Sequence, residues 1–101
     1  MSEPVSRPWE ESLYPQLRDD ELAAGHLSEA LNGKDIKAFL LALRHVVEAR
    51  GVSMSELAQS TGLDRTGLYK MLSEKGNPEL SSLAEILKSL GFQMMISKRV
   101  S

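Results

Sequence analysis

Arg65, Thr66, Tyr69 and Lys70 are the residues whose types and spacing point to chemistry, and that chemistry is recognition. They fall at i, i+1, i+4 and i+5, so a helix through this stretch sets all four on its outward side. A guanidinium at the N-terminal end of such a helix bonds a guanine edge bidentately in the major groove. Tyr69 and Lys70, one turn on, suit phosphate or base contact. Gly67 sits among them, where an interior helical glycine costs about 1 kcal/mol relative to alanine. Its presence is read as room for DNA to approach closely.

Two short helices and a tight turn must position these residues. Ser53 followed by Glu56 reads as a capping box that opens the first helix. Leu57 and Ala58 face inward. Gly62 can take the left-handed conformation that ends the helix, and Leu63 plugs the turn. Asp64 is the N-cap of the second helix, where its charge suits the helix terminus. Leu68, Met71 and Leu72 recur at helical spacing toward the core. This is the layout of a DNA-binding helix-turn-helix.

The run ELAQSTGLDRTGLYKML resembles the xenobiotic-response-element and Cro-like helix-turn-helix family. The pair Leu57-Ala58, then Gly62, an apolar Leu63 and the polar Asp64 carry that likeness. More narrowly, LYKMLSEKGNPELSSLAEILKSLGFQMMI looks like the addiction-module antidote proteins, the antitoxins of toxin–antitoxin operons. The run from Tyr69 through Lys70, Leu72 and Ser73 to Gly76-Asn77-Pro78 is its most telling piece, and the likeness spans about Arg18 to Lys98. In the wider family the first helix of the motif often opens with a glutamine that contacts DNA. Met54 stands there in this chain, so that contact is either missing or supplied by Ser55.

The chain has 101 residues, no cysteine and a formal net charge of −2. That length is one domain with a modest core. Without cysteine there is no disulfide framework and no thiolate site. No run reaches the length of a membrane helix, and no secretory signal pattern opens the chain, so a cytoplasmic protein is expected. Residues 1–50 carry six basic and nine acidic residues, and residues 51–101 carry six and five. The half with the motif is the less acidic, which permits DNA binding without arguing for it.

Residues 1–17 hold three of the four prolines and no helical periodicity, which predicts an extended or mobile arm. Trp9 and Tyr14 in it are expected to dock on the body or on a partner. Removing Met1–Gln16 is expected to leave the remainder folded. Residues 18–101 form the domain. Asp19 or Asp20 caps a helix to about Leu31, with Ala23, Leu27, Ala30 and Leu31 inward. Asp35 caps the next, to about Arg50, with Ile36, Phe39, Leu40, Leu43, Val46 and Val47 as its buried stripe. Ser81 is read as the cap of the last helix, which runs to Leu90.

The final segment changes period. Phe92, Met94, Ile96 and Val100 alternate with Gln93, Ser97 and Arg99, which is strand patterning. A lone strand cannot satisfy its backbone, so a partner from outside is expected. Phe92, Met94 and Ile96 are the candidate dimerisation face. The expected fold is therefore all-α, a five-helix lambda-repressor-like helix-turn-helix bundle with a short C-terminal β-strand.

No phosphate loop, metal-ligand spacing or nucleophile–base pair stands out, so no enzyme, cofactor or metal is expected. His26 reads as a partly buried structural histidine. The candidate DNA-binding residues are Ser55, Arg65, Thr66, Gly67, Tyr69 and Lys70. By resemblance the chain is expected to be a repressor of its own operon that neutralises a small ribonuclease-type toxin, acting as a homodimer on double-stranded DNA. A prophage-type repressor without a toxin, and a protein-interaction module on the same scaffold, remain the alternatives.

Overall fold

Local capping chemistry sets most of the helix boundaries. The computed structural model describes residues 14–73 and 75–100. Five complete helices lie among them: α1 Asp20–Leu31, α2 Ile36–Ala49, α3 Met54–Thr61, α4 Arg65–Met71 and α5 Leu80–Ser89. Asp19 caps α1 by accepting the Leu22 N–H, and Asp35 caps α2 by accepting the Lys37 N–H. Both ends of the capping box form at α3: Ser53 Oγ accepts the Glu56 N–H at 3.1 Å, and Glu56 Oε1 accepts the Ser53 N–H at 3.3 Å. Such a cap is worth about 1 kcal/mol.

Among the described residues, the buried apolar core is aliphatic apart from Phe39. Phe39, Leu40, Leu43, Val46 and Val47 of α2 are buried, and Leu57, Leu68, Leu72, Leu83, Ile86 and Leu87 close over them from the later helices. Each such side chain contributes about 1.5–3 kcal/mol on leaving water. α1 packs on α2, and α3 packs on both α4 and α5. The Ser60 and Ser89 hydroxyls, 2.7 Å apart, also tie α3 to α5.

Four expectations change. Residues 14–17 are helical rather than extended, and Leu17 is buried in the core. Pro15 falls within these helical residues. Tyr14 packs against the core and donates its hydroxyl to Glu48 Oε2. The rest of the expected arm, residues 1–13 with Trp9, lies outside the described residues. Second, the last helix starts at Leu80 with Glu79 as its N-cap and no side-chain cap bond, so Ser81 is inside it. Third, Leu31 and Ile36, at the α1–α2 junction, are about half exposed because each lies at the end of its helix.

Met54 packs against the core cluster, in keeping with a missing contact at that position. Fourth, residues 92–100 form no strand in the single chain. Among the described residues, no backbone hydrogen bond joins residues 93–100 to the bundle, so there is no ladder to define one.

Arg50, the residue that ends α2, ties the two ends of the bundle together. Its guanidinium donates to the carbonyls of Leu17 at 3.2 Å and Leu90 at 3.1 Å, and to Asp20 Oδ1 at 2.9 Å. It also stacks over the Phe92 ring, with Cζ 4.9 Å from the centroid. Arg18 adds a bond from Nε to the Ala49 carbonyl at 2.9 Å. No helix among the described residues is long and apolar enough to cross a membrane.

Candidate nucleic-acid interface

The turn between α3 and α4 is built by two side chains and one glycine. Gly62 has φ 76°, the left-handed region, and its N–H returns to the Ala58 carbonyl. A residue with a Cβ would be strained there. Thr61 Oγ1 donates to the Leu57 carbonyl at 2.7 Å and accepts the Leu63 N–H at 3.2 Å, so its hydroxyl bridges helix and turn. Asp64 then opens α4 by accepting the Gly67 N–H at 3.0 Å.

α4 is seven residues long, too short to persist on its own. Two leucines hold it: Leu68 and Leu72 are fully buried on its inner side. Pinning that side fixes the other. Arg65, Thr66, Tyr69 and Lys70 are all exposed. The Arg65 guanidinium carbon lies 5.9 Å from the Tyr69 ring centroid. Lys70 also lies in the last turn, where its charge favours the helix C-terminus.

Gly67 is half-buried, and a Cβ built on it meets nothing nearer than the Asp64 side chain at 3.8 Å. No neighbour within the described chain requires glycine at that position. Gly76 is the opposite case. A Cβ there would lie 2.1 Å from the Met71 carbonyl oxygen, so the loop after α4 can pass the helix end only as glycine. Ser73 helps close that end, donating Oγ to the Lys70 carbonyl at 2.7 Å.

Ser55 is exposed in the first turn of α3, the helix that packs on α4. Lys75 and Asn77 were not among the DNA-binding candidates read from the sequence; they line the same surface groove as Gly67 and Lys70. The cue available was a lysine and an asparagine in the turn directly after the helix, which reads only as turn chemistry until the loop is seen to fold alongside α4.

The expected dimerisation residues divide. Phe92 is half-buried beneath Arg50, and its N–H bonds the Leu87 carbonyl at 2.8 Å. Met94 is 37% exposed, while Ile96 stands wholly in solvent at 101%. Among the described residues, no group of three or more His, Cys, Asp or Glu side chains is placed to hold a metal ion. His26 is half-buried and lines a groove between α1 and α2 with His45.

The sequence profile of a family described as "Probable addiction module antidote protein" matches residues 10–98. A relative from Haemophilus influenzae (strain Rd), described as an uncharacterized protein, is 34% identical over 82 residues, covering 81% of this chain and 82% of its own length. No solved structure matches the chain.

Proposed function

We propose that this chain, which belongs to the family of probable addiction module antidote proteins, is an antitoxin that also represses its own operon by binding DNA through α4. The observation that carries the DNA reading is the division of α4. Leu68 and Leu72 are locked in the core, while Arg65, Thr66, Tyr69 and Lys70 stand together in solvent behind a tight αL turn. A helix held rigidly by one side and bearing cationic and hydrogen-bonding groups on the other suits the major groove.

In this reading Arg65 and Thr66, at the start of α4, reach base edges. Tyr69 and Lys70 contact phosphates or bases, with Ser55 from α3 and Lys75 from the following loop contacting the backbone. Gly67 lets the DNA approach. The net charge of −2 gives weak nonspecific attraction, so affinity depends on these few groups and on two copies reading two half-sites. The partner named by the antidote role is a toxin, read here as a small basic ribonuclease whose charge suits the acidic N-terminal half. The protein works in the cytoplasm in this account and performs no catalysis.

A second reading, a protein-interaction module, draws support from Met54. Its inward packing withdraws from the first motif helix the position where the wider family often places a DNA-contacting glutamine. A mobility-shift titration with DNA from upstream of the gene separates the two. Specific retardation supports the repressor; affinity no better than for random DNA supports the module. Co-expression with the product of the adjacent gene, scored by cell growth, tests the antitoxin role.

A further inference from the structure

We infer that the C-terminal segment of a second copy of this chain lies in the groove between α1 and residues 91–95. The inference rests on the dimer in the reading above and names the surface that forms it.

Ala24, Leu27 and Leu31 of α1 make one wall of this groove, Phe39 and Leu87 its floor. Phe92, Met94 and Met95 make the other wall, and Asp20 and Glu21 stand at its edge. An apolar trough with a carboxylate rim asks for an apolar segment carrying positive charge.

The chain itself supplies that segment. Met95, Ile96 and Val100 are 79%, 101% and 102% exposed, and Lys98 and Arg99 lie between the last two. Residues 93–100 make no backbone hydrogen bond to the described bundle, so their N–H and C=O groups are open to a partner. Phe92, Gln93, Met94 and Met95 already line their own groove, and Ile96 and Val100 carry apolar side chains beyond it, with Lys98 between them on the same side at strand period. The protein's own surface ends there, while the apolar residues do not. Residues 94 and 95 wall the groove, and the segment after them stands clear of the bundle instead of turning back. A two-fold axis resolves this: each tail crosses to the other copy, and the same patch serves on both. Lys98 and Arg99 of one copy then meet Glu21 of the other. Asp20 contributes less, because Arg50 already pairs with it.

The chain contains no cysteine, so introduced thiols report without background. Ser28→Cys places one in the groove and Ser97→Cys one on the tail. The two variants are mixed, treated with a short bismaleimide and run on a denaturing gel. The expected product is a covalent dimer that contains one chain of each variant. Cross-linking of Ser97→Cys only to itself means that the tails pair with each other and leave the groove empty; this overturns the inference and leaves the dimer standing. A wild-type protein that sediments as a monomer at high micromolar concentration overturns both. Independently, Glu21→Lys should weaken the dimer severalfold, and combined Lys98→Glu and Arg99→Glu should restore it. Ile96→Asp should raise the dimer dissociation constant about tenfold or more. An unchanged constant for Ile96→Asp also overturns the inference.

Discussion

Arg65 and Tyr69 lie one turn apart on the exposed side of α4, with the guanidinium carbon 5.9 Å from the ring centroid. The ring face attracts the cation and reduces its freedom before any ligand arrives. Tyr69→Leu removes that restraint and the phenol; Tyr69→Phe removes only the hydroxyl. Fluorescence anisotropy on the operator should show a two- to fivefold weakening for Tyr69→Leu, from a contact of about 0.5–1 kcal/mol. Tyr69→Phe should fall between it and wild type. Equal loss in both variants would assign the whole effect to the hydroxyl.

Gly67→Ala should separate folding from binding. The new methyl group meets nothing nearer than 3.8 Å and relieves a helical glycine. Stability in urea should therefore rise, by up to about 1 kcal/mol. Operator binding should fall, since the methyl group occupies space the DNA approaches. Undiminished binding would show that glycine is not required at this place in the interface.

Gly76→Ala should act in the opposite sense. Its Cβ would overlap the Met71 carbonyl, which is backbone and cannot swing aside. The loop must move, at a cost of about 1–3 kcal/mol, the range for forced backbone shifts. Thermal unfolding measures it. A melting temperature equal to wild type would mean that the loop has another route past α4.

Much of this fold was legible because the signals were local. Ser53 with Glu56, Gly62, Asp64 and Asp35 all act within one helical turn, and each does what its residue type prescribes. The spacing of the buried residues in α2 and α5 was equally plain. Arg50 was not, because its partners lie 33 and 40 residues away for the two carbonyls, and a terminal arginine otherwise reads as solvated. Leu17 was hidden by neighbouring prolines, which suggested an extended arm. Its burial, with the packing of Tyr14, means that a cut after Gln16 would remove Tyr14 from the core surface and leave Leu17 at a new terminus. The strand pattern from Phe92 onward was legible as a pattern only. A strand is a relation between two segments, and one described chain supplies just one of them. At the candidate interface, periodicity placed the exposed residues of α4. It gave no sign that Lys75 and Asn77 fold in beside them.

Arg50→Met keeps the stem and removes the charge. The Leu17 and Leu90 carbonyls then lose a charged donor, and the stacking on Phe92 goes with it. Urea unfolding should show a loss of about 1.5–3 kcal/mol. Asp20→Asn, at the exposed end of the same cluster, should change stability little. Comparable losses from both would move the clamp's weight from the carbonyls to the ion pair.

The central claim is that α4 reads DNA. Its most direct test is a binding titration of wild type and Arg65→Ala on the DNA upstream of the gene, at two salt concentrations and against random competitor. Wild type should prefer its own sequence by about a thousandfold or more, with affinity falling steeply as salt rises. Arg65→Ala should lose about 1–3 kcal/mol of that preference, roughly five- to a hundred-and-fiftyfold, with its melting temperature unchanged. A wild-type protein that binds its own upstream DNA no better than random sequence, or an Arg65→Ala protein that binds it as well as wild type, would contradict the account.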